Sequence, residues 1–295
     1  MKINKDSEEI KIKTNCFNLK YTLECGQCFR WQSVENVDNE YVGVIKDRVV
    51  KIRQVGDNIV VSSNVLENLE DVIINYFDIA CDYKKVEKEI SEIDEHIKKA
   101  VKNTTGIHIL KQDFLEVLIS YIISANNNIP RISKSVKEIS KNYGTKIIFE
   151  NQEYYLFPTL EELKNVSEGE FRKCGVGFRA RYIKNTIKDI IEKKVDVNNI
   201  ESMTTNKLKK ELLTLQGVGP KVADCILLFA CGKKEVFPID VWVERIMQLL
   251  YFKDVKTTLK KSQIIEIADK KFGENAGIVQ QHLFYNIREK KMQIE

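Results

Sequence analysis

We expect no segment of the 295-residue sequence to cross a membrane or to direct the chain out of the cell. Its longest apolar stretch, residues 114–125, is interrupted by Glu116 and is shorter than the ~20 residues that a membrane-spanning helix needs. Residues 1–9 carry charged side chains where a signal peptide would need an apolar run. We therefore expect a soluble protein that stays inside the cell and has no membrane partner.

The cysteines are not clustered, and no group of four provides ligands for an iron–sulfur site of the ferredoxin kind. The seven cysteines are an odd number and are scattered singly apart from Cys25 and Cys28, which argues for a reducing compartment. That pair could be a redox pair or half of a zinc site, although the sequence offers no second pair. We expect an intracellular protein, cytoplasmic and at the nucleoid if prokaryotic, that needs no metal and no cofactor.

The chain also lacks a dominant charge, internal repeats and low-complexity linkers. Its 47 basic and 43 acidic residues leave a formal net charge of +4, a bias that permits nucleic-acid binding without demanding it. The length suits one large domain or two fused domains with an ample core.

Hydrophobic periodicity divides the chain into two parts. Before Asn64, short β-branched runs at residues 41–45, 48–53 and 59–62 predict an antiparallel sheet. After it, the apolar period becomes helical, and turn residues separate the helical segments. The pattern predicts an α+β fold, with a small N-terminal sheet domain and flanking helices over residues 1–103 and a larger helical body over residues 104–295.

The most informative motif surrounds Lys221. Gly217 and Gly219 allow a tight turn that brings the backbone close to a ligand, and Pro220 suits the first position of a helix. Amides at this helix start can hold an anion such as a phosphate, and the same positive end disfavours the charged form of an amine. Lys221 is therefore a candidate Schiff-base nucleophile. The alternative is a helical hairpin whose lysine only contacts phosphate or solvent.

Asp240 is the carboxylate that follows this motif. It precedes an apolar helical run from Val241, which predicts that it caps that helix. A capping carboxylate is held rigidly and can also stabilise positive charge that develops on a substrate. Asp224 is the rival carboxylate; it lies mid-helix, where we expect a surface or intrahelical ion pair.

Five segments together resemble the 8-oxoguanine DNA glycosylases, a branch of the helix-hairpin-helix (HhH-GPD) DNA glycosylase superfamily. Residues 215–225, with the Asp240 loop, resemble the superfamily's hairpin and aspartate signature, and Lys221 marks its bifunctional branch. The other four segments resemble the 8-oxoguanine enzymes themselves, in family order: residues 23–31, 124–131, 175–182 and 275–284. The resemblance spans almost the whole chain and implies a glycosylase N-terminal sheet domain followed by an HhH-GPD catalytic domain.

The resemblance implies a monomeric, bifunctional repair enzyme that acts on double-stranded DNA containing 8-oxoguanine, with cytosine preferred opposite the lesion. Lys221 would attack the sugar at C1′, expel the oxidised base and form a Schiff base that permits strand cleavage on the 3′ side by β-elimination. Asp240 would stabilise the departing-base transition state. Trp242 follows that loop where animal relatives have a phosphate-binding histidine; Trp can donate one hydrogen bond and can pack, but carries no charge.

Four residues would form the recognition pocket by the same resemblance. The Gly26 carbonyl would accept a hydrogen bond from N7–H, the group that distinguishes 8-oxoguanine from guanine. Cys225, one helical turn after Lys221, would sandwich the flipped base against Phe284, and Gln280 would address its polar edge. Without the family, Gly26 could equally be a plain turn, and periodicity would favour Cys225 and Phe284 as core residues.

Four more residues would face the undamaged strand and the vacated stack. Phe178, where many relatives have Tyr, would be the wedge that fills the stack. Arg131 and Arg179 would donate to the estranged cytosine, with Asn126 filling the gap. Spacing alone favours an ordinary amphipathic helix start around Phe178, and a helix cap within residues 126–128.

Two other functions remain open from the sequence. One is a monofunctional glycosylase for another damaged purine, although such enzymes typically lack a lysine at the position of Lys221. The other is a non-catalytic DNA-binding module that uses the hairpin only as a phosphate clamp. The presence of Lys221 and Asp240 together speaks against this second alternative.

Overall fold

In the computed structural model, which describes residues 9–197, 199–252 and 260–290, the first part of the chain forms an antiparallel sheet. Its spatial order is β1-β5-β4-β3-β2. The strands are β1 (Ile10–Lys13), β2 (Gln32–Ser33), β3 (Glu40–Ile45), β4 (Arg48–Val55) and β5 (Asn58–Ser63), with helix α1 (Leu19–Glu24) between β1 and β2. The three strand predictions are confirmed. Residues 1–8, most of the segment in which we expect no signal peptide, lie outside the described residues.

One face of this sheet is covered by helix α2 (Leu69–Tyr76), and the two share a hydrophobic core. Ile52 and Ile59 from the sheet are fully buried, as is Ile73 from the helix. The helix begins later than the change of period at Asn64 suggests, because Asn68 adopts a left-handed conformation (φ 51°) immediately before Leu69.

The remainder of the described chain is mainly helical and shares one large core. The helices are α3 (Tyr83–Ser91), α4 (Glu95–Thr104), α5 (Phe114–Ser124), α6 (Ile129–Tyr143), α7 (Leu160–Leu163), α8 (Glu168–Phe171), α9 (Arg179–Ile191), α10 (Thr205–Leu212), α11 (Pro220–Phe229), α12 (Val241–Tyr251), α13 (Lys261–Lys271) and α14 (Ala276–Lys290). The predicted α+β class is confirmed. Within the described ranges, no helix is both long enough and apolar enough to cross a bilayer.

A β-hairpin that periodicity did not predict interrupts the helical body. Strands β6 (Lys146–Phe149) and β7 (Gln152–Tyr155) pair antiparallel around Glu150 and Asn151. Both turn residues have positive φ, 49° and 62°, as a two-residue hairpin of right-handed twist requires. A four-residue apolar run is too short for its period to distinguish a strand from a helix, which is why the hairpin was missed.

Helix α14 brings the two parts of the chain together around the site. It packs against α11 so closely that a Cβ at Gly277 would lie 2.5 Å from a Leu228 methyl group. On its other side, the fully buried His282 contacts Thr104 of α4, with 2.7 Å between Nδ1 and Oγ1. The guanidinium of Arg288 donates to the backbone carbonyl of Glu24 in α1. The rotation of α14, and so the direction of its side chains, is therefore set from both sides.

Candidate active site

The turn between α10 and α11 presents Lys221 at the start of a helix. Gly219 is the N-cap and Pro220 the first helical residue, as the motif predicted. Gly217 has φ 79°, and a Cβ there would lie 2.8 Å from the Tyr182 Cβ, so only glycine fits without movement. Thr186 of α9 donates to the backbone carbonyl within the same turn, at residue 216, over 2.8 Å. The turn is thus held rigidly against α9.

The Lys221 side chain is half-buried and reaches helix α5. Its Nζ lies 3.3 Å from the Ser124 hydroxyl and 4.8 Å from the centre of the Tyr121 ring. Ser124 in turn donates to the Tyr121 carbonyl at 2.7 Å, so its oxygen is free to accept from the amine. An aromatic face beside an ammonium or amine group also limits where the group can move.

Asp240 caps α12, as its position before Val241 predicted. Its Oδ1 accepts from the Val243 amide at 2.8 Å, and its backbone is extended. Asp224 does not have the expected surface or intrahelical pair: it is buried, 5% exposed, and pairs with Lys209 of α10 at 2.6 Å. Burial raises the pKa of Asp224, and Lys209 offsets that effect only in part. The expectation was wrong because helix spacing cannot reveal a partner on another helix.

Lys221 and Asp240 line a single small cavity together with every residue predicted for the recognition pocket. The cavity has a volume of about 50 Å³, and its lining is Cys25, Gly26, Tyr121, Lys221, Cys225, Phe229, Pro238, Asp240, Gln280, Gln281 and Phe284. A water molecule in the liquid takes ~30 Å³, so this space holds one or two waters and must widen to admit a purine. A larger open cavity near Cys16 and Glu87 contains none of the predicted residues.

Gly26 contributes backbone to the wall of this cavity. It has φ 85°, and a Cβ would lie 3.0 Å from an Arg288 nitrogen and 3.4 Å from the Phe284 ring. Its carbonyl accepts from the Tyr121 hydroxyl at 3.3 Å. The next residue, Gln27, is fully buried, and its side chain bonds to backbone groups at 108 and 110, while its backbone carbonyl accepts from the Gln112 side chain. Gly26 therefore provides both a turn in the chain and a close approach of the backbone to the cavity.

Two glutamines and a phenylalanine of α14 form the opposite wall. Gln280 and Gln281 are buried, 5% and 3% exposed, and Nε2 of Gln281 donates to Oε1 of Gln280 at 2.7 Å. Phe284 lies one turn further along, with the Arg288 guanidinium 5.6 Å from its ring centre. The sequence led us to Gln280 and Phe284; Gln281, Tyr121 and Cys25 were missed.

The two thiols in the pocket are neutral near pH 7. Burial raises the pKa of Cys25 to about 12 and that of Cys225 to about 11, the latter despite the nearby Lys221. They therefore act as small apolar walls. All seven cysteines, including Cys28, are free, and the described residues contain no group of His, Cys, Asp or Glu side chains arranged to hold a metal.

The residues predicted to face DNA lie on the surface around this site, with one exception. Phe178 and Trp242 are exposed, 54% and 53%. Asn126, just before α6, and Arg131, in its first turn, are also exposed. Asn128 caps that helix through a 3.0 Å bond from the Arg131 amide, so the cap prediction is confirmed and Asn126 is not the cap.

Arg179 is the exception because it is only 7% exposed. Its guanidinium donates to the backbone carbonyls of Ala125, Asn126 and Val176, with the Asn126 bond at 2.9 Å, and lies 4.5 Å from the Phe178 ring centre. In this conformation it holds the Asn126 turn in place. Its contact with cytosine stays a prediction, and it requires some of these donors to be released.

Two family models match consecutive parts of the chain. Residues 9–118 match the model of the 8-oxoguanine DNA glycosylase N-terminal domain, and residues 119–271 match that of HhH-GPD superfamily base excision DNA repair proteins. The chain is 30% identical to a probable N-glycosylase/DNA lyase of Methanothermobacter thermautotrophicus, over 95% of this chain and 96% of that protein. It is 32% identical to N-glycosylase/DNA lyase OGG1 of Arabidopsis thaliana, over 93% and 78%.

A solved structure is also closely similar. The 8-oxoguanine glycosylase/lyase of Clostridium acetobutylicum, in complex with double-stranded DNA containing cytosine opposite 8-oxoguanine, superposes with a TM-score of 0.89. It is 38% identical, and the match covers 97% of this chain and 100% of that one.

Proposed function

Because the chain belongs to the HhH-GPD superfamily of base excision repair proteins and carries the N-terminal domain of 8-oxoguanine DNA glycosylases, we propose that it excises 8-oxoguanine from duplex DNA and then cleaves the strand. The observation that carries this proposal is the single cavity that Lys221 and Asp240 share with Gly26, Gln280 and Phe284. A nucleophile and a carboxylate thus line the same cavity as the apolar and polar groups that would contact a base.

Lys221 supplies the nucleophile of both chemical steps. Its neutral amine attacks C1′, the C1′–N9 bond breaks, and the base leaves with the bonding electrons and takes up a proton. The attached nitrogen loses a proton, the C1′–O4′ bond breaks, O4′ takes up a proton, and the opened sugar is held as a Schiff base. Loss of a proton from C2′ then expels the 3′ phosphate by β-elimination. Asp240, held by its bond to the Val243 amide, stabilises the positive charge that the sugar gains as the base departs.

The recognition pocket separates 8-oxoguanine from guanine at N7. The lesion has a hydrogen there, and guanine has a bare lone pair. The Gly26 carbonyl accepts a hydrogen bond from N7–H of the lesion and repels the N7 lone pair of guanine. Cys225 and Phe284 sandwich the ring, and Gln280 contacts its polar edge. Burial that keeps the Cys225 thiol neutral supports an apolar contact with the base.

The surface around the pocket binds the duplex from which the target nucleotide is extruded. Extrusion costs a few kcal/mol. Two kinds of contact offset this cost: the exposed Phe178 ring stacks in the vacated position, and the orphaned cytosine is contacted by Arg131, Arg179 and Asn126. Trp242 and the amides of the Gly217–Gly219 turn lie at helix starts suited to phosphate groups.

The protein acts as a monomer without metal or cofactor, and works inside the cell, where double-stranded DNA and reduced cysteines occur together. We place the domain boundary after residue 103, within the last turn of α4. Residues 104–295 then form the catalytic body, with α5 as its first complete helix.

Borohydride trapping with a duplex that carries 8-oxoguanine opposite cytosine tests this proposal. The wild-type protein should nick the lesion strand and form a covalent DNA adduct, because borohydride reduces the Schiff base. Lys221→Gln should bind the duplex but neither nick nor trap it. Lys270→Gln, which removes a lysine from the exposed face of α13, is the matched control and should behave as wild type.

Three results would contradict the proposal. Nicking by Lys221→Gln at the wild-type rate would remove Lys221 from the chemistry. Base excision without trapping would indicate a monofunctional glycosylase. Binding to the duplex without excision would indicate a non-catalytic DNA-binding module.

A further inference from the structure

Helix α14 places a second glutamine in the base cavity. Gln281 is 3% exposed and lines the same space as Gln280 and Phe284. Residues three and four positions apart share one side of a helix. Gln281 and Gln280 precede Phe284 by three and four positions, so both lie on its side of α14. The two amides are joined by the 2.7 Å bond from Gln281 Nε2 to Gln280 Oε1.

The amide oxygen of Gln281 has no partner among the described residues: it is buried and accepts no hydrogen bond from them. The amine of Lys221, which lines the same cavity, is directed to the Ser124 hydroxyl instead. Native proteins pair almost all buried acceptors, because leaving one unpaired costs free energy. An acceptor in the wall of a binding cavity that has no protein partner is available to a donor group of the ligand.

We propose that Gln281 is a specificity-determining residue whose Oε1 accepts a hydrogen bond from the exocyclic amine of the flipped base. This inference rests on the proposed function. The polar edge of 8-oxoguanine carries two adjacent donors, N1–H and the exocyclic amine. Oε1 of Gln280 keeps a second lone pair for N1–H, since its first accepts from Gln281. The two oxygens together match a guanine-type edge.

An adenine-type edge does not fit this pair of acceptors. It presents an unprotonated ring nitrogen at N1, which would face a glutamine oxygen lone pair to lone pair. The Gln281 oxygen would then stay buried and unpaired, and the free lone pair of Gln280 Oε1 would be repelled, when the base is bound. Gln281 therefore extends the selection beyond the N7 position, which the Gly26 carbonyl reads, to the identity of the purine itself.

Gln281→Met tests the inference, because methionine keeps the length and unbranched shape of the side chain without its amide. Single-turnover excision is measured with 8-oxoguanine and with 8-oxohypoxanthine, each opposite cytosine; the second base lacks only the exocyclic amine. Loss of the tether to Gln280 affects both bases. The additional loss on 8-oxoguanine should be about threefold to tenfold, the range of one neutral hydrogen bond.

Two further measurements separate recognition from folding. Strand cleavage at a preformed abasic site involves no base in the pocket, so Gln281→Met should cleave it at the wild-type rate. Gln54→Met is the matched control. It removes three hydrogen bonds to the backbone, with Leu19, Phe17 and Gly56, outside the pocket lining, and should leave the ratio between the two bases unchanged.

Each outcome decides the matter. Equal losses on both bases would overturn the inference, as would no loss on either or a parallel loss at the abasic site. A wild-type protein that excises neither base would overturn the proposed function itself. A wild-type protein that excises 8-oxoguanine, with an unchanged ratio in Gln281→Met, would overturn the role of Gln281 alone.

Discussion

Replacing Asp240 by asparagine should separate the structural role of this side chain from its chemical role. Oδ1 accepts from the Val243 amide at 2.8 Å, and an asparagine oxygen can accept the same bond. Asparagine and aspartate are about equally good N-caps, so the free energy of unfolding should fall by no more than ~1 kcal/mol. The charge beside the reacting sugar, however, is lost completely.

The loss of activity should be much larger than the loss of stability. Removing one preorganised electrostatic contact to a transition state typically lowers the rate by roughly a hundredfold or more, which corresponds to about 2.7 kcal/mol. The assay is single-turnover excision of 8-oxoguanine opposite cytosine, with urea unfolding measured on the same preparation. Asp113→Asn is the matched control, because Asp113 caps α5 through a 3.0 Å bond from the Glu116 amide and lies outside the cavity lining.

Two results would contradict this prediction. Should Asp240→Asn lose stability and excision by equivalent free energies, its carboxylate only maintains the fold. Should it excise at a rate within a few-fold of the wild type, the negative charge contributes nothing to base departure. Asp113→Asn is expected to show the small stability change without the rate loss.

Two further predictions concern opposite-base choice and acid sensitivity. Arg131→Met should erode a preference for cytosine over adenine of about tenfold to hundredfold, the value of one good bidentate contact, and excision opposite each base measures it; a wild-type ratio would make Arg131 a surface cation only. Burial lowers the pKa of His108 to about 4 and that of His282 to about 3, below the ordinary 6.5. Between pH 6.5 and these lowered values the unfolded chain binds more protons than the folded chain, so the free energy of unfolding falls as the pH falls through this range. Between pH 7 and 5.5 each histidine should cost about 1 kcal/mol of unfolding free energy in urea titrations, and His282→Gln should remove about half of this dependence; an unaltered pH dependence in that variant would contradict the assignment.

Features set by neighbouring residues could be predicted from the sequence. The start of α11 at Pro220 and the capping of α12 by Asp240 follow from the preferences of single positions, and both are confirmed. The strands before Asn64 follow from a two-residue period. The α+β class and the family were recoverable because five motifs lie in order along almost the whole chain.

Features set by tertiary contacts could not be predicted in the same way. Asp224 pairs with a lysine on a different helix, and no spacing rule connects residues 209 and 224. Tyr121 reaches the cavity from α5, within an apolar helix whose period predicts only a core position. Gln281 adjoins a predicted pocket residue, but the unpaired state of its oxygen depends on every group around it. The buried state of Arg179 likewise depends on the turn at Ala125.

The small size of the cavity is relevant to selectivity between damaged and undamaged bases. Gly26 comes from the N-terminal part, Lys221 from α11, and Gln280 and Phe284 from α14, so segments far apart in the sequence line this cavity of about 50 Å³. A purine cannot enter that volume unless these walls move apart, and separating packed walls costs free energy. On the proposed function, a base that satisfies the Gly26 carbonyl and the glutamine oxygens would offset this cost with new hydrogen bonds, whereas an undamaged guanine would leave the carbonyl facing a lone pair. We therefore expect discrimination to act as the base is inserted, before Lys221 meets C1′.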